Sequence, residues 1–362
     1  MTATAAGLAA GEVRDFERSF PPKWPPSGVR FLRDGVVAVG GGRAIELWDV
    51  GRGEQVHAVQ PPDLDRAIGV WAPAPGGDAF LIGAGEGALR LVDIDGEELQ
   101  RLERTAEARA HFGSETPGLG SFTAVHHPDG SYEDRSFFYE RYSVASDVAV
   151  SPHGDRAVAA YGQRYALVWR LDTGALERLV GQDAPPGSGR IYRAAWSRNG
   201  TMILTGDGSG SLRVWSAQTG REMAAFGLRN EPAGGSTSGR VGAIGFTPDS
   251  RRVVAADGAA LRLWEIESRD ELAPWSGHGA SHPLLGDYAG MPRIQDLRFS
   301  GDGRRALTVG VDSTLRVWDV ARGEQIWAVR PAPCCIDWGD ISSDGSHVAW
   351  AGCPGMRVYR LD

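Results

Sequence analysis

Histidines and acids that could bind a metal ion concentrate in two long polar segments of this 362-residue chain. Imidazole and carboxylate groups together suit zinc or iron. Their spacing matches no closed metal motif, so we interpret these side chains as solvated loop residues and expect neither a metal site nor a cofactor. The histidines are His111, His126, His127, His278 and His282, and the nearby acids are Asp129, Glu133, Asp134 and Asp287.

An aromatic run, SFFYERY at 136–142, lies in the first of these segments. It could fold back over a small core of its own segment. Alternatively it is exposed as an anchor for a partner, because aromatic side chains concentrate interface energy. Trp24, in a proline-flanked stretch, and Tyr288 are similar candidates. The predicted partner-binding residues are therefore Trp24, Phe137, Phe138, Tyr139, Tyr142, Tyr288 and the five histidines.

Three cysteines, Cys334, Cys335 and Cys353, are too few for the disulfide framework of a secreted protein. A hairpin turning at Asp344-Gly345 would place Cys353 opposite Ile336 and beside Cys335. Buried reduced thiols are one interpretation of this trio. A disulfide or a bound metal is the other.

The positions of all these groups depend on a repeated unit. Residues 305–320 read RALTVGVDSTLRVWDV, two apolar runs joined by a turn that carries Asp312, which predicts a β-hairpin. Its second run recurs as AIELWDV, ALRLVDI, YALVWRL, SLRVWSA, ALRLWEI, TLRVWDV and MRVYRL. The copies are 41 to 54 residues apart, except for one step of 77. Such a period indicates one supersecondary unit repeated seven times.

These segments resemble the WD-repeat β-propeller family, whose blades end in Trp-Asp, as at Trp48-Asp49 and Trp318-Asp319. The resemblance implies an all-β fold, a seven-bladed β-propeller of four-stranded antiparallel blades. Residues 13–20 are expected to complete the last blade and close the ring. We further expect a disordered tail at 1–11 and one propeller over 12–362. The long step predicts a loop insertion at about 103–144, between blades two and three.

The resemblance also implies a structural tetrad of histidine, serine or threonine, aspartate and tryptophan. In blade six, the matching residues are Thr308, Asp312 and Trp318, with His278 or His282 as the histidine. Blade four has Thr205, Asp207 and Trp215 but lacks the histidine. We interpret these residues as structural and not as a catalytic set.

Composition excludes several classes of function. The net charge is −8 and no dense basic run occurs, which argues against nucleic-acid binding. No apolar run of about 18 residues and no positively charged leader are present, so we expect a cytoplasmic protein without a membrane segment. One lysine among 38 basic residues suggests a GC-rich bacterial genome.

Function is predicted from the distribution of loops. In this fold the connections from the last strand of one blade to the first strand of the next lie on one face, and the long irregular segments of the chain fall there. No phosphate-binding loop or nucleophile elbow is found. The sequence therefore predicts a non-catalytic scaffold that presents this face to a protein or peptide. The alternative is a propeller hydrolase or lyase, with histidine and acid groups over the central channel.

Overall fold

The computed structural model describes residues 13–16, 26–32, 35–64, 67–83, 88–103, 125–126, 132–133, 145–181, 189–228, 241–278, 294–331, 336–352 and 355–361. These residues form seven four-stranded antiparallel sheets and one two-stranded hairpin, with no helix among them. This part of the chain accordingly offers no helix able to cross a membrane.

The strands of the first two blades follow the predicted repeat. The first strand in the described residues is Val13–Phe16 (β1). Blade 1 consists of Pro26–Phe31 (β2), Val36–Gly41 (β3), Ala44–Asp49 (β4) and Glu54–Val59 (β5). Blade 2 consists of Val70–Pro73 (β6), Ala79–Gly83 (β7), Leu89–Asp93 (β8) and Glu98–Leu102 (β9). The small hairpin follows, formed by Val125–His126 (β10) and Tyr132–Glu133 (β11).

The next three blades have the same order of strands. Blade 3 consists of Asp147–Val150 (β12), Arg156–Ala160 (β13), Ala166–Arg170 (β14) and Leu176–Val180 (β15). Blade 4 consists of Ile191–Trp196 (β16), Met202–Asp207 (β17), Ser211–Ser216 (β18) and Glu222–Gly227 (β19). Blade 5 consists of Ile244–Phe246 (β20), Arg252–Asp257 (β21), Ala260–Glu265 (β22) and Trp275–Ser276 (β23).

The last two blades complete the ring. Blade 6 consists of Ile294–Phe299 (β24), Arg305–Gly310 (β25), Leu315–Asp319 (β26) and Glu324–Val329 (β27). Blade 7 consists of Ile336–Ile341 (β28), His347–Gly352 (β29), Met356–Arg360 (β30) and β1. The strands of each blade are called a to d, from the centre of the ring outwards.

The core lies between the blades. The a strands of successive blades contact each other, and those of blades 7 and 1 do so as well. Seven buried apolar clusters are found in the described residues, one between each pair of neighbouring sheets. Each sheet therefore buries both faces, which explains why the b and c strands are almost continuously apolar. The predicted seven-bladed propeller is confirmed.

Ring closure uses the N-terminal strand, as predicted. β1 pairs antiparallel with β30, with Val13 opposite Tyr359 and Phe16 opposite Met356. Blade 7 therefore combines the two ends of the described chain, and its inner strands share a cluster with blade 1 that includes Val29 and Val358. Closure therefore pairs the otherwise exposed edge of β30 and also buries the facing surfaces of blades 7 and 1.

The predicted register of the cysteine hairpin is confirmed from Trp338 to Ile341, but it is wrong by one residue at Ile336. A β-bulge lies between Ile336 and Trp338, so that Ile336 pairs with Gly352 and not with Cys353. An extra residue on one strand shifts every pairing beyond it, and sequence spacing does not reveal its position. The three cysteines themselves lie outside the described residues.

The a-to-b turns are compact. In blade 6 the amide of Arg305 donates to Ser300 Oγ, which in turn donates to Asp302 Oδ1 at 2.6 Å. The same turn geometry recurs in four other blades, with the hydroxyl groups of Ser151, Ser197, Thr247 and Ser342. A short side chain that satisfies the turn amides keeps this face of the ring close to the strands.

Deletion of residues 13–16 should lower the melting temperature by at least about 5 °C, because blade 7 loses its outer strand and the edge of β30 is exposed. Thermal unfolding followed by circular dichroism measures the change. Deletion of residues 2–9 shortens the chain without touching a described strand and serves as the control. An unchanged melting temperature in the first variant would refute closure by β1.

Candidate functional site

The tetrad of blade 6 is a buried chain of hydrogen bonds. Trp318 Nε1 donates to Thr308 Oγ1 at 2.8 Å, and Thr308 Oγ1 lies 2.7 Å from His278 Nε2. His278 Nδ1 lies 3.1 Å from Asp312 Oδ1. Because the Asp312 carboxylate can only accept, Nδ1 of the neutral imidazole carries the hydrogen and donates it to Asp312. Nε2 then accepts a hydrogen bond from the Thr308 hydroxyl, which itself accepts one from the Trp318 indole.

A glycine opposite the histidine makes room for this arrangement. A Cβ atom at Gly310 would lie 2.3 Å from His278 Nδ1 and 2.5 Å from Asp312 Oδ1. The tetrad joins the b strand, the b-to-c turn, the c strand and the segment that precedes the a strand. All its polar atoms are occupied within the blade, and the His278 side chain has no exposed surface. Its geometry is that of a structural element.

Other blades satisfy the same positions differently. In blade 4, Trp215 Nε1 donates to Thr205 Oγ1 at 2.9 Å, and the amide of Gly189 donates to Asp207 Oδ2 in place of a histidine. In blade 3 the indole of Trp169 donates to the carbonyl of Glu103. The sequence alone could not supply these backbone partners.

Of the predicted partner-binding residues, only His278 has a described side chain, and its prediction as a surface residue needs correction. Both of its ring nitrogens form hydrogen bonds within the tetrad, and its side chain is buried, so a partner cannot contact it. His126 lies in β10, for which only the strand pairing is described. The remaining predicted residues lie outside the described part of the chain, namely Trp24, His111, His127, Phe137, Phe138, Tyr139, Tyr142, His282 and Tyr288.

The central channel holds a group of charged side chains that the sequence analysis did not identify. It encloses a cavity of about 310 Å³, lined by residues of the a strands. Asp147, Arg193 and Asp296 occur seven residues before the turn glycine of their own blades. Arg30 and Arg298, two residues further along, point the same way because side chains alternate along a strand. These five residues line one cavity.

Only one carboxylate of this group is ion-paired with arginine in the described structure. Arg298 Nη2 lies 3.1 Å from Asp296 Oδ1, and Arg30 Nη1 lies 3.9 Å from Asp296 Oδ2. Asp147 Oδ2 instead accepts the amide of Ala194 on the next blade, at 3.1 Å. Asp340, at the level of Arg30, accepts the amide of Phe31 on blade 1, at 2.7 Å. Asp147 and Asp340 thus join blades 3 to 4 and 7 to 1.

Burial controls the ionisation of these groups. It raises the pKa of Asp147, against the opposing effects of Arg193 and the Ala194 amide. It also raises the pKa of Asp340, against the opposing charges of Arg30 and Arg298. Burial, followed by the charge of Arg298, lowers the pKa of Arg30 to about 10. With a pKa of about 10, Arg30 stays charged at neutral pH, whereas burial shifts the pKa of both aspartates in the direction that favours the neutral acid.

The chemistry that the channel offers is polar recognition. No histidine or cysteine occurs among its described lining residues. The described residues also contain no group of three or more histidine, cysteine, aspartate or glutamate side chains suited to a metal ion. A signal for the channel was available in the sequence, since each charged residue interrupts an a strand either seven or five residues before a turn glycine.

Comparison with known proteins identifies the repeat. The family described as WD domain, G-beta repeat matches residues 182–216 and 285–319, which contain the a to c strands of blades 4 and 6. THO complex subunit 6 of Arabidopsis thaliana is 22% identical over 191 residues, covering 52% of this chain and 45% of that protein. Transducin beta-like protein 3 of Mus musculus is 24% identical over 245 residues, covering 62% and 27%.

A third similar protein, Angio-associated migratory cell protein of Homo sapiens, is 27% identical over 169 residues and shares 46% of this chain. The matched region is 32% of that protein, so the chain spans less than half the length of each of the three. All three are eukaryotic, which gives no support to the predicted bacterial origin. Two segments of the chain thus match the WD-domain repeat, and the described residues form a seven-bladed propeller.

Replacing Thr308 with alanine should destabilise the protein by about 3 kcal/mol, because it leaves Trp318 Nε1 and His278 Nε2 buried without their partner. Thr205→Ala removes one such bond and should cost about half as much. Urea unfolding measures both effects. Thr219→Ala, in an exposed turn, is the control and should change stability by less than about 0.5 kcal/mol. Equal effects for Thr308 and Thr219 would contradict the structural role.

Asp340→Asn should gain stability relative to the wild type as pH rises above about 4, because a raised carboxyl pKa in the folded state makes ionisation unfavourable there. The amide oxygen of asparagine can still accept the Phe31 amide. The relative gain should not exceed about 1.4 kcal/mol per pH unit. Urea unfolding between pH 5 and 8 measures it.

Asp302→Asn is the control for this pH series. The pKa of Asp302 is lowered, its burial being outweighed by its bonds to Ser300 and the Arg304 amide, so that it stays ionised throughout that range. Its difference from the wild type should be constant with pH. A constant difference for Asp340→Asn as well would contradict the raised pKa.

Proposed function

We propose that this protein is a non-catalytic scaffold that binds a protein or peptide partner on the face carrying its d-to-a connections. The observation that supports this most directly is the difference in length between the connections of the two faces. The chain leaves the ring on this face after Leu102, the last residue of β9, and re-enters it at Asp147, the first residue of β12. The connections after β15, β19 and β23 do the same. Long connections on a rigid scaffold are common carriers of binding function.

The opposite face has short connections and is less suited to specific partner binding. Its a-to-b turns, such as Ser300–Arg305, are closed by side-chain hydrogen bonds and contain few residues. Because the same turn recurs in five blades, this face offers similar local surfaces all round the ring. A partner would find more distinctive chemistry on the other face.

The comparisons point to the same class of function. One similar protein is named as a subunit of a complex, THO complex subunit 6. The identity of a partner is not carried over, since 22% identity over half of this chain is too distant. The cytoplasmic and bacterial assignments remain predictions from composition. No described residue supports the alternative of a hydrolase or lyase, and His278, one of its candidate groups, is buried in the tetrad.

Deletion of residues 105–142 should abolish capture of the partner from an extract of the native cells, while the ring stays folded. Quantitative mass spectrometry of the captured proteins, with circular dichroism of the variant, measures both. The control reverses three exposed arginines of the compact face, Arg198→Glu, Arg251→Glu and Arg304→Glu, and should retain the partner. A partner that is retained by the deletion but lost by the reversal would refute the assignment of the face.

A further inference from the structure

We propose that the central channel binds a small organic anion that carries a carboxylate or phosphate group together with a hydroxyl group. The ligand would be held by Arg30, Arg193 and Arg298. This site is distinct from the partner-binding face, and the proposal does not rest on the scaffold function.

Hydrogen-bond donors are in excess in the channel. Each guanidinium has five N–H groups. Among the described residues, Arg193 donates from Nε to the carbonyl of Gly242 at 2.7 Å, and Arg30 donates from Nη1 to that of Val29 at 2.6 Å. Arg298 Nε is buried and has no hydrogen-bond partner there. Since an unpaired buried donor is costly, these groups favour an acceptor within the cavity.

The charges favour an anion in particular. Of the three guanidinium groups, those of Arg30 and Arg298 share one carboxylate, that of Asp296, and Arg193 forms no ion pair in the described residues. Asp147 and Asp340 are bonded to backbone amides instead, and burial biases both towards the neutral form. Among the charged side chains that line the cavity, three arginines face two aspartates, in a protein whose net charge is −8. A bidentate carboxylate or phosphate is the group that arginine recognises best.

The space for a ligand comes from small residues at the level of two of these arginines. Ala72, Ala149 and Ala195 each occur five residues before the turn glycine, where blades 1 and 6 have Arg30 and Arg298. The two long side chains thus face a region that three neighbouring blades leave open. The cavity of about 310 Å³ lies at the lower end of the range for ligand pockets. A molecule of small metabolite size fits such a volume.

Two buried acceptors of the lining residues, Asp296 Oδ2 and Gln295 Oε1, have no hydrogen-bond partner in the described structure, and the first specifies the hydroxyl group. Asp296 Oδ2 is buried and accepts no hydrogen bond from the described residues, although Arg30 Nη1 lies 3.9 Å away. Asp296 itself is 6% exposed. A ligand hydroxyl would satisfy this oxygen while the ligand anion satisfies Arg298. The pair of adjacent unsatisfied groups, one donor and one acceptor, therefore indicates a hydroxylated acid.

Isothermal titration of the full chain with three probes tests the proposal: malate, succinate, which lacks the hydroxyl group, and inorganic phosphate. We expect one site per chain, with malate binding more tightly than succinate. Preference for malate or for phosphate distinguishes the carboxylate from the phosphate source. Absence of binding by all three would overturn the proposal. Binding only of an acidic peptide would also overturn it, because the occupant would then be a partner protein.

Variants locate the binding in the channel. Arg298→Gln should weaken malate binding at least about tenfold, because it removes a charged donor. Asp296→Asn should strengthen succinate and phosphate binding, since it frees the arginines, and should abolish the preference for malate. These opposite effects separate ligand binding from a loss of folding, which circular dichroism checks. Arg52→Gln, at an exposed turn, makes the same charge change and should have no effect. Equal weakening by Arg298→Gln and Arg52→Gln would overturn the assignment.

Discussion

Burial of both faces of every sheet is the constraint on which this structure depends. A four-stranded sheet with two apolar faces is stable only between two neighbours, and the ring provides them for all seven blades. The interface between blades 7 and 1 packs like the others, but it joins the last blade of the chain to the first. Pairing of β1 with β30 supplies the outer strand of blade 7, whose other three strands come from the C-terminal part of the chain. The closed ring then fixes the positions of both the channel and the loops.

Polar groups buried in the ring fall into two types. The tetrad of blade 6 is complete, because Trp318, Thr308, His278 and Asp312 satisfy one another in sequence. A complete network rigidifies its surroundings and leaves nothing for a ligand. The channel group is incomplete, since its arginines outnumber its ion-paired carboxylates, and Arg298 Nε and Asp296 Oδ2 have no hydrogen-bond partner among the described residues. This contrast separates the structural polar cluster from the candidate for recognition.

The two faces of the ring and its centre have different physical properties. Short bonded turns keep one face close to the scaffold, whereas the other face receives the chain ends of every long connection. The channel between them concentrates charge at low exposure, where electrostatic interactions are strongest. Partner binding on the outer surface and recognition of a small molecule in the channel are thus compatible in one molecule, because they use different atoms. The similar proteins are only 22 to 27% identical to this chain, so the partner-binding face and the channel can each differ from theirs.

The sequence by itself determined the blade repeat, the four strands of each blade, the closing strand and three members of the blade 6 tetrad, Thr308, Asp312 and Trp318. These features follow from local periodicity and from motifs within one repeat, which chain order preserves. Tertiary structure alone decided that His278 is the buried histidine of the tetrad and not a surface residue. It also decided that a bulge places Ile336 opposite Gly352. It alone brought Arg30, Asp147, Arg193, Asp296 and Arg298 to one cavity. These residues come from four blades, and only closure of the ring places side chains so distant in sequence within reach of a common ligand.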